Sequence, residues 1–184
     1  IYSMHLTAGS LEELVNMQKK YADILKEDCK MDSILTGCGN SILAGYIYHK
    51  CSFCSNEGVA VDYSIHTGQV ECCFAIHEMI EILGILIDYA CESVLIQKRA
   101  DKRIRLEMKE EEKIIISVSN PTEYIPFSEI ENMFVCGYSS KGENRGIGLS
   151  RVKELANKYE ANIKVSNFWY DEENWINFTV EIVK

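Results

Sequence analysis

Between Gly137 and Leu149 the chain reads Gly-Tyr-Ser-Ser-Lys-Gly-Glu-Asn-Arg-Gly-Ile-Gly-Leu, which sets hydroxyls, a lysine, an arginine and several glycines directly ahead of a helical pattern. Such a segment suits an anion, a phosphate above all. Glycines let the backbone approach closely, the first N–H groups of a helix lie unpaired at the positive end of its dipole, and Lys141 adds a mobile charge. Neither a Walker A loop nor a complete G-x-G-x-x-G is present, which excludes the P-loop and the dinucleotide fingerprint. A second group falls on the helical periodicity from Ile76 to Ile96, where Glu81, Ile85, Asp88, Tyr89 and Glu92 share one stripe. Alone, that stripe reads as a solvated acidic face. Beside the glycine-rich segment it becomes a candidate wall of a binding site.

Other chemistry-bearing side chains are weaker candidates. Cys51-Ser-Phe-Cys54, with His49 nearby, is a single C-x-x-C without a second pair, and it falls at helical spacing with Leu43, Tyr46 and Ile47, so packing explains it better than zinc. His5, His49, His66 and His77 have neither a companion Ser/Asp nor metal-ligand spacing and read as structural. Eight cysteines in a chain of 184 residues with a full apolar core read as reduced thiols rather than a disulfide framework. The 19 Lys+Arg against 28 Asp+Glu give a formal charge of −9, which repels a phosphodiester backbone and argues against a nucleic-acid partner. No apolar run reaches the ~18–20 residues needed to span a bilayer, because Glu81, Asp88 and Glu92 interrupt the stretch from Ile80 to Ile96. The opening Ile-Tyr-Ser-Met-His reads as the start of an excised fragment, with any membrane parts upstream.

These groups need elements to hold them. Leu11, Leu14, Val15, Tyr21, Ile24 and Leu25 predict an amphipathic helix from Ser10 to about Lys26. A capped turn over Thr36–Asn40 then leads into a second helix from Ser41 to about Cys54. Alternation from Val59 to Ile65 predicts a strand, and the long helix from Ile76 to Ile96 follows. Ile104–Met108 and Ile114–Val118 read as a hairpin around Glu110-Glu111-Glu112. From Asn120 to Gly148 periodicity is weak, apart from a short helix over Phe127–Phe134, and long irregular segments in compact domains are usually functional. A helix from Ile147 to Tyr159 and strands over Ile163–Phe168 and Trp175–Val183 complete an α+β, two-layer α/β sandwich.

Glu81-Ile-Leu-Gly-Ile-Leu-Ile-Asp88-Tyr89-Ala90-Cys91-Glu92 resembles the N-box helix of a sensor histidine kinase. Ser117-Val-Ser-Asn120 resembles the strand end that holds adenine, and Gly137 to Leu149 resembles the ATP lid and glycine box. In this order the motifs are similar to those of the GHKL ATPase superfamily, which includes gyrase, heat-shock chaperones, histidine kinases and mismatch-repair proteins. Leu35-Thr-Gly-Cys-Gly-Asn-Ser-Ile-Leu43, with Lys50 in the helix that follows, is similar to the Agr-type quorum-sensing receptor kinases. The resemblance implies the Bergerat fold, a mixed and mostly antiparallel sheet with helices on one face. It implies a catalytic and ATP-binding domain over residues 28–184, preceded over 1–27 by the remnant of a dimerisation and phosphoacceptor segment, on the cytoplasmic side of a bacterial membrane protein.

Asn120 would then hydrogen-bond the adenine amino group, and Asp88, Ser139, Ser140, Lys141, Gly142, Arg145, Gly146, Gly148 and Leu149 would surround the nucleotide. The implied reaction is ATP-dependent phosphorylation of an upstream histidine, relayed to a response regulator, in a homodimer formed through the upstream helices. The fragment alone is not expected to autophosphorylate. Two positions depart from the pattern. The family's general-base position is Ile85, leaving Glu81, one turn back, as the substitute for polarising the acceptor. The family's Mg²⁺-binding Asn is Tyr89, and a neutral phenol is a poor ligand for a hard cation, so Mg-ATP binding is expected to be weakened. The alternative is a degenerate, pseudokinase-like module acting through protein contacts. An anti-sigma serine kinase of the same superfamily is disfavoured by the helical segment ahead of Thr36.

Overall fold

The computed structural model describes residues 11–68, 74–97, 101–137 and 147–184, leaving aside the side chains of 11–14 and 21–28. Helix α1 spans Leu11–Gly37. It does not end near Lys26, so the boundary expected after residue 27 falls inside a continuous helix. The physical reason is local: no Gly or Pro interrupts the chain until Gly37, and Ile34 is fully buried against the rest of the molecule. At Gly37 the helix end reaches the sheet so closely that a Cβ would overlap the carbonyl oxygen of Ile65. Asn40 then caps α2 (Ser41–Asn56), its side chain accepting from the N–H groups of Ile42 at 3.1 Å and Leu43 at 3.0 Å.

Five strands follow the expected alternation: β1 (Ala60–His66), β2 (Arg103–Glu110), β3 (Lys113–Pro121), β4 (Asn162–Tyr170) and β5 (Glu173–Val183). Their order in the sheet is β1-β2-β3-β5-β4. β1 runs parallel to β2 through the crossover helix α3 (Ile76–Ile96), and the other pairs are antiparallel. The inner face carries Ile104, Leu106, Ile114, Ile116, Val118, Phe178, Val180 and Ile182, all buried under the helices. The outer face carries Asp62, Ser64, Arg105, Glu107, Ser117 and Asn177, partly or fully open to solvent. That division follows from the period of two.

Two helices complete the layer, α4 (Phe127–Asn132) and α5 (Gly148–Lys158). β4 and β5 close in a two-residue turn at Asp171-Glu172, both with positive φ (51° and 62°). This mirror-image geometry matches the twist of the flanking strands. The strands therefore extend two residues past the expected end at Phe168 and begin two before Trp175.

Candidate functional site

Helix α3 is the spine of the site. Its apolar face, with Ile82, Leu83, Leu86 and Ile87, packs on the sheet, and its polar positions turn toward the neighbouring helices. The three carboxylates read as one stripe meet different surroundings along that length. Glu81 accepts from Arg151 of α5 through both oxygens, Nε at 2.8 Å and Nη2 at 3.2 Å. This pairing holds the Glu81 carboxyl below the usual carboxylate range, so the group is a weak base and a tie between α3 and α5. Asp88 accepts from Lys50 of α2 at 2.7 Å through each oxygen. Glu92 is exposed.

Tyr89 points inward. Its ring meets Phe178 of β5 edge-on at 5.0 Å, and Phe134, just beyond α4, approaches the same Phe178 at 6.5 Å. Burial pushes the Tyr89 phenol up to about 12, so it is neutral at physiological pH and offers no anionic oxygen. One turn earlier, Ile85 touches the first residue of α5: a Cβ at Gly148 would stand 3.1 Å from Ile85 Cγ2. Leu149 and Val152 of α5 join the core beside it.

Asn120 lies at the end of β3 on the inner face and is 0% exposed. Its Nδ2 donates to the carbonyl of Pro121 at 3.0 Å, while its Oδ1 is buried with no hydrogen-bond partner among the described residues. An orphaned buried acceptor costs about 1–3 kcal/mol, a penalty that a donor such as an exocyclic amine would remove. Among the described residues no side chain caps the N-terminus of α5, where the first N–H groups of a helix can meet an anion. Ser139, Ser140, Lys141, Gly142, Arg145 and Gly146 lie outside the described residues.

The described residues fit an adenine nucleotide at its base end and do not fit Mg²⁺. Tyr89 is a half-buried neutral phenol, Ile85 is apolar, and both oxygens of Asp88 are engaged by Lys50. Among the described residues no group of three or more His, Cys, Asp and Glu side chains could hold a metal ion. Cys51 and Cys54 are buried on the inner face of α2, where burial pushes the Cys51 thiol up to about 11. Sequence reasoning placed Asn120, Tyr89, Asp88, Glu81 and Gly148 on α3, β3 and α5. It missed the aromatic cluster that Phe134 and Phe178 form with Tyr89, although Phe178 is the one aromatic on the inner-facing register of the last strand and stands opposite Val118. It also missed Arg151 as the partner of Glu81.

Residues 74–182 match the family model described as the GHKL domain, and the chain belongs to that family. Histidine kinase domains of this family bind ATP. The chain is 29% identical over 166 residues to Sensor protein CitS of Bacillus subtilis (strain 168), a match that takes in 88% of this chain and 30% of that protein. It thus spans less than a third of the length of this curated relative. Among solved structures it is similar to the catalytic domain of histidine kinase ThkA in a nucleotide-free form, with TM-score 0.60 and 15% identity over 76% of this chain and 91% of that one. A second nucleotide-free form gives TM-score 0.59 and 17% identity over 77% and 95%. At such identities the likeness establishes the fold: a five-stranded mixed sheet under a helical layer.

Proposed function

We propose that this chain is the ATP-binding catalytic domain of a two-component sensor histidine kinase. In the whole protein, bound ATP supplies the phosphoryl group for an upstream histidine, from which it passes to a response regulator. The observation that carries this reading is the buried Oδ1 of Asn120, which has no partner among the described residues and is an acceptor to which the adenine amino group can donate. Gly148 and Leu149 bring the start of α5 toward the phosphates, and Ser139, Ser140, Lys141, Gly142, Arg145 and Gly146 are assigned to the same end of the nucleotide by their motif. Asp88 acts through Lys50, holding α2 against α3 at the edge of the site. Glu81 acts through Arg151, keeping α5 in place, rather than as a free base. Residues 1–27 belong to the helical segment that dimerises and carries the acceptor, and the domain lies on the cytoplasmic side of a bacterial membrane. The likeness of residues 35–43 to the Agr-type quorum-sensing receptor kinases supports a membrane receptor kinase as the parent.

Because Tyr89 puts a half-buried ring where the family pattern has an oxygen ligand, nucleotide binding here depends less on Mg²⁺ than that pattern implies. Calorimetric titration of ATP with and without Mg²⁺ tests both statements. We expect binding in each case, with an affinity that changes less than about threefold on adding the ion, and a Kd raised at least about tenfold, or ~1.4 kcal/mol, in Asn120→Leu. Affinity strongly increased by Mg²⁺ would show that a ligand other than Tyr89 holds the ion. The second reading, a degenerate module working through protein contacts, is favoured by the Tyr89–Phe178 contact and is adopted if the parent binds no ATP while Tyr89→Asn does.

A further inference from the structure

Between Asn120 and α4 the chain has no regular hydrogen-bonding partner of its own class: Thr122 to Pro126 belongs to neither strand nor helix. Buried or half-buried backbone still needs its N–H and C=O groups paired. Two asparagine side chains from the β4–β5 hairpin meet that need. Ile125 N–H donates to Asn167 Oδ1 at 3.0 Å, and Asn167 Nδ2 donates to the Ile125 carbonyl at 2.8 Å. One side-chain amide thus reproduces the two-way exchange that a residue of a neighbouring strand would make. Asn174 adds to this from the opposite strand. Its Nδ2 lies 3.3 Å from the carbonyls of Thr122 and Glu123 and 3.1 Å from Asn167 Oδ1, and its own carbonyl accepts from Thr122 N–H at 2.9 Å.

The held segment starts two residues after the orphaned acceptor of Asn120. It ends at α4, beyond which Met133 and Phe134 pack on the core and Phe134 faces Phe178. Beside the two amides, the path from Asn120 to Phe134 is held by the backbone bond from Thr122 N–H to the Asn174 carbonyl, by the half-buried Ile125 and Met133 and by the buried Ile130, but among the described contacts only the amides pair the Ile125 N–H and the Ile125, Thr122 and Glu123 carbonyls. We propose that Asn167 and Asn174 are positioning residues of the nucleotide site, a side-chain clamp that sets the Thr122–Ile125 backbone and thereby the wall between Asn120 and Phe134. This rests on the reading of the site as a nucleotide pocket. The clamp acts before any ligand arrives, so it contributes by preorganisation: binding then need not order the wall.

The test is ATP calorimetry on the chain carrying Asn167→Ala, with thermal melting and amide hydrogen exchange over 121–135 alongside. Calorimetry separates the stoichiometry, which falls when a fraction of molecules is unfolded, from the Kd of those that are folded. We expect an unchanged stoichiometry, a Kd raised at least about fivefold, and faster exchange at Ile125. Asn167→Asp keeps the acceptor for Ile125 N–H and loses the donor, so its Kd should fall between parent and Ala. Where Asn167→Ala does not fold, Asn174→Ala leaves the Asn167–Ile125 pair in place and is expected to raise the Kd in the same direction. A parental Kd in the Ala variants, or a loss confined to stoichiometry and melting temperature, overturns the clamp. Failure of the parent itself to bind ATP overturns the nucleotide reading instead, and the clamp with it.

Discussion

Gly84 shows how much a single missing side chain can decide. It sits in the middle of α3, where glycine costs roughly 1 kcal/mol relative to alanine, and a Cβ there would overlap the hydroxyl of Tyr46 from α2. Gly84→Ala should therefore lower stability by about 1–3 kcal/mol through overpacking, despite its better helix propensity. Because the clash is with the tip of one side chain, adding Tyr46→Phe should recover most of the loss in a thermal melt; no recovery would mean that the backbones themselves cannot separate. A glycine inside a strongly apolar helical pattern is a readable signal of close approach, yet the sequence does not say to what. The same limit applied at Glu81 and Asp88. Their helical phase was legible, whereas Arg151 and Lys50 lie 70 and 38 residues away in the chain and meet them only through the fold.

At the scale of elements, α3 and α5 are joined by charge as well as by apolar contact. Glu78 is buried and accepts from Lys158 at 2.7 Å and from the Tyr159 hydroxyl, which together hold its carboxyl below the usual 4.5. A carboxyl with a depressed folded-state pKa stabilises the fold above its unfolded value and loses that contribution as the pH falls through the folded one. Arg151 depresses Glu81 in the same sense. Glu78→Gln should thus melt below the parent at neutral pH, with the gap narrowing once the pH drops under about 4.5; a gap independent of pH would assign the loss to packing. The β4–β5 turn makes a second case. Glu172 holds a positive φ of 62° that glycine adopts without strain, so Glu172→Gly should stabilise the hairpin by up to ~1 kcal/mol, measured by chemical denaturation. That turn also explains why the strand ends were misjudged. Asp-Glu is not the Asn-Gly or Asp-Gly signal that such geometry normally carries, so the sequence offered no marker of where the chain reverses.

For the molecule as a whole, the layers were legible because burial imposes periodicity. Strict alternation in β1, β2 and β5 and the apolar face of α3 allow only a sheet covered on one side. The expected end of α1 near Lys26 fell short, since helical propensity continues smoothly from Lys26 to Thr36 and no Gly or Pro interrupts it before Gly37. The ending at Gly37 is secured to the sheet at several points. Thr67 N–H donates to the Gly37 carbonyl at 2.8 Å, Gly39 N–H lies 3.0 Å from the Thr67 carbonyl, and Ser33 Oγ is 2.9 Å from Tyr63 Oη. Helix α1 is about 40 Å long at 1.5 Å per residue, and it is grafted onto the edge strand rather than hinged to it. The helix end is thus stapled to β1, which pairs in parallel with β2, and β2 in turn pairs with β3, the strand that carries Asn120.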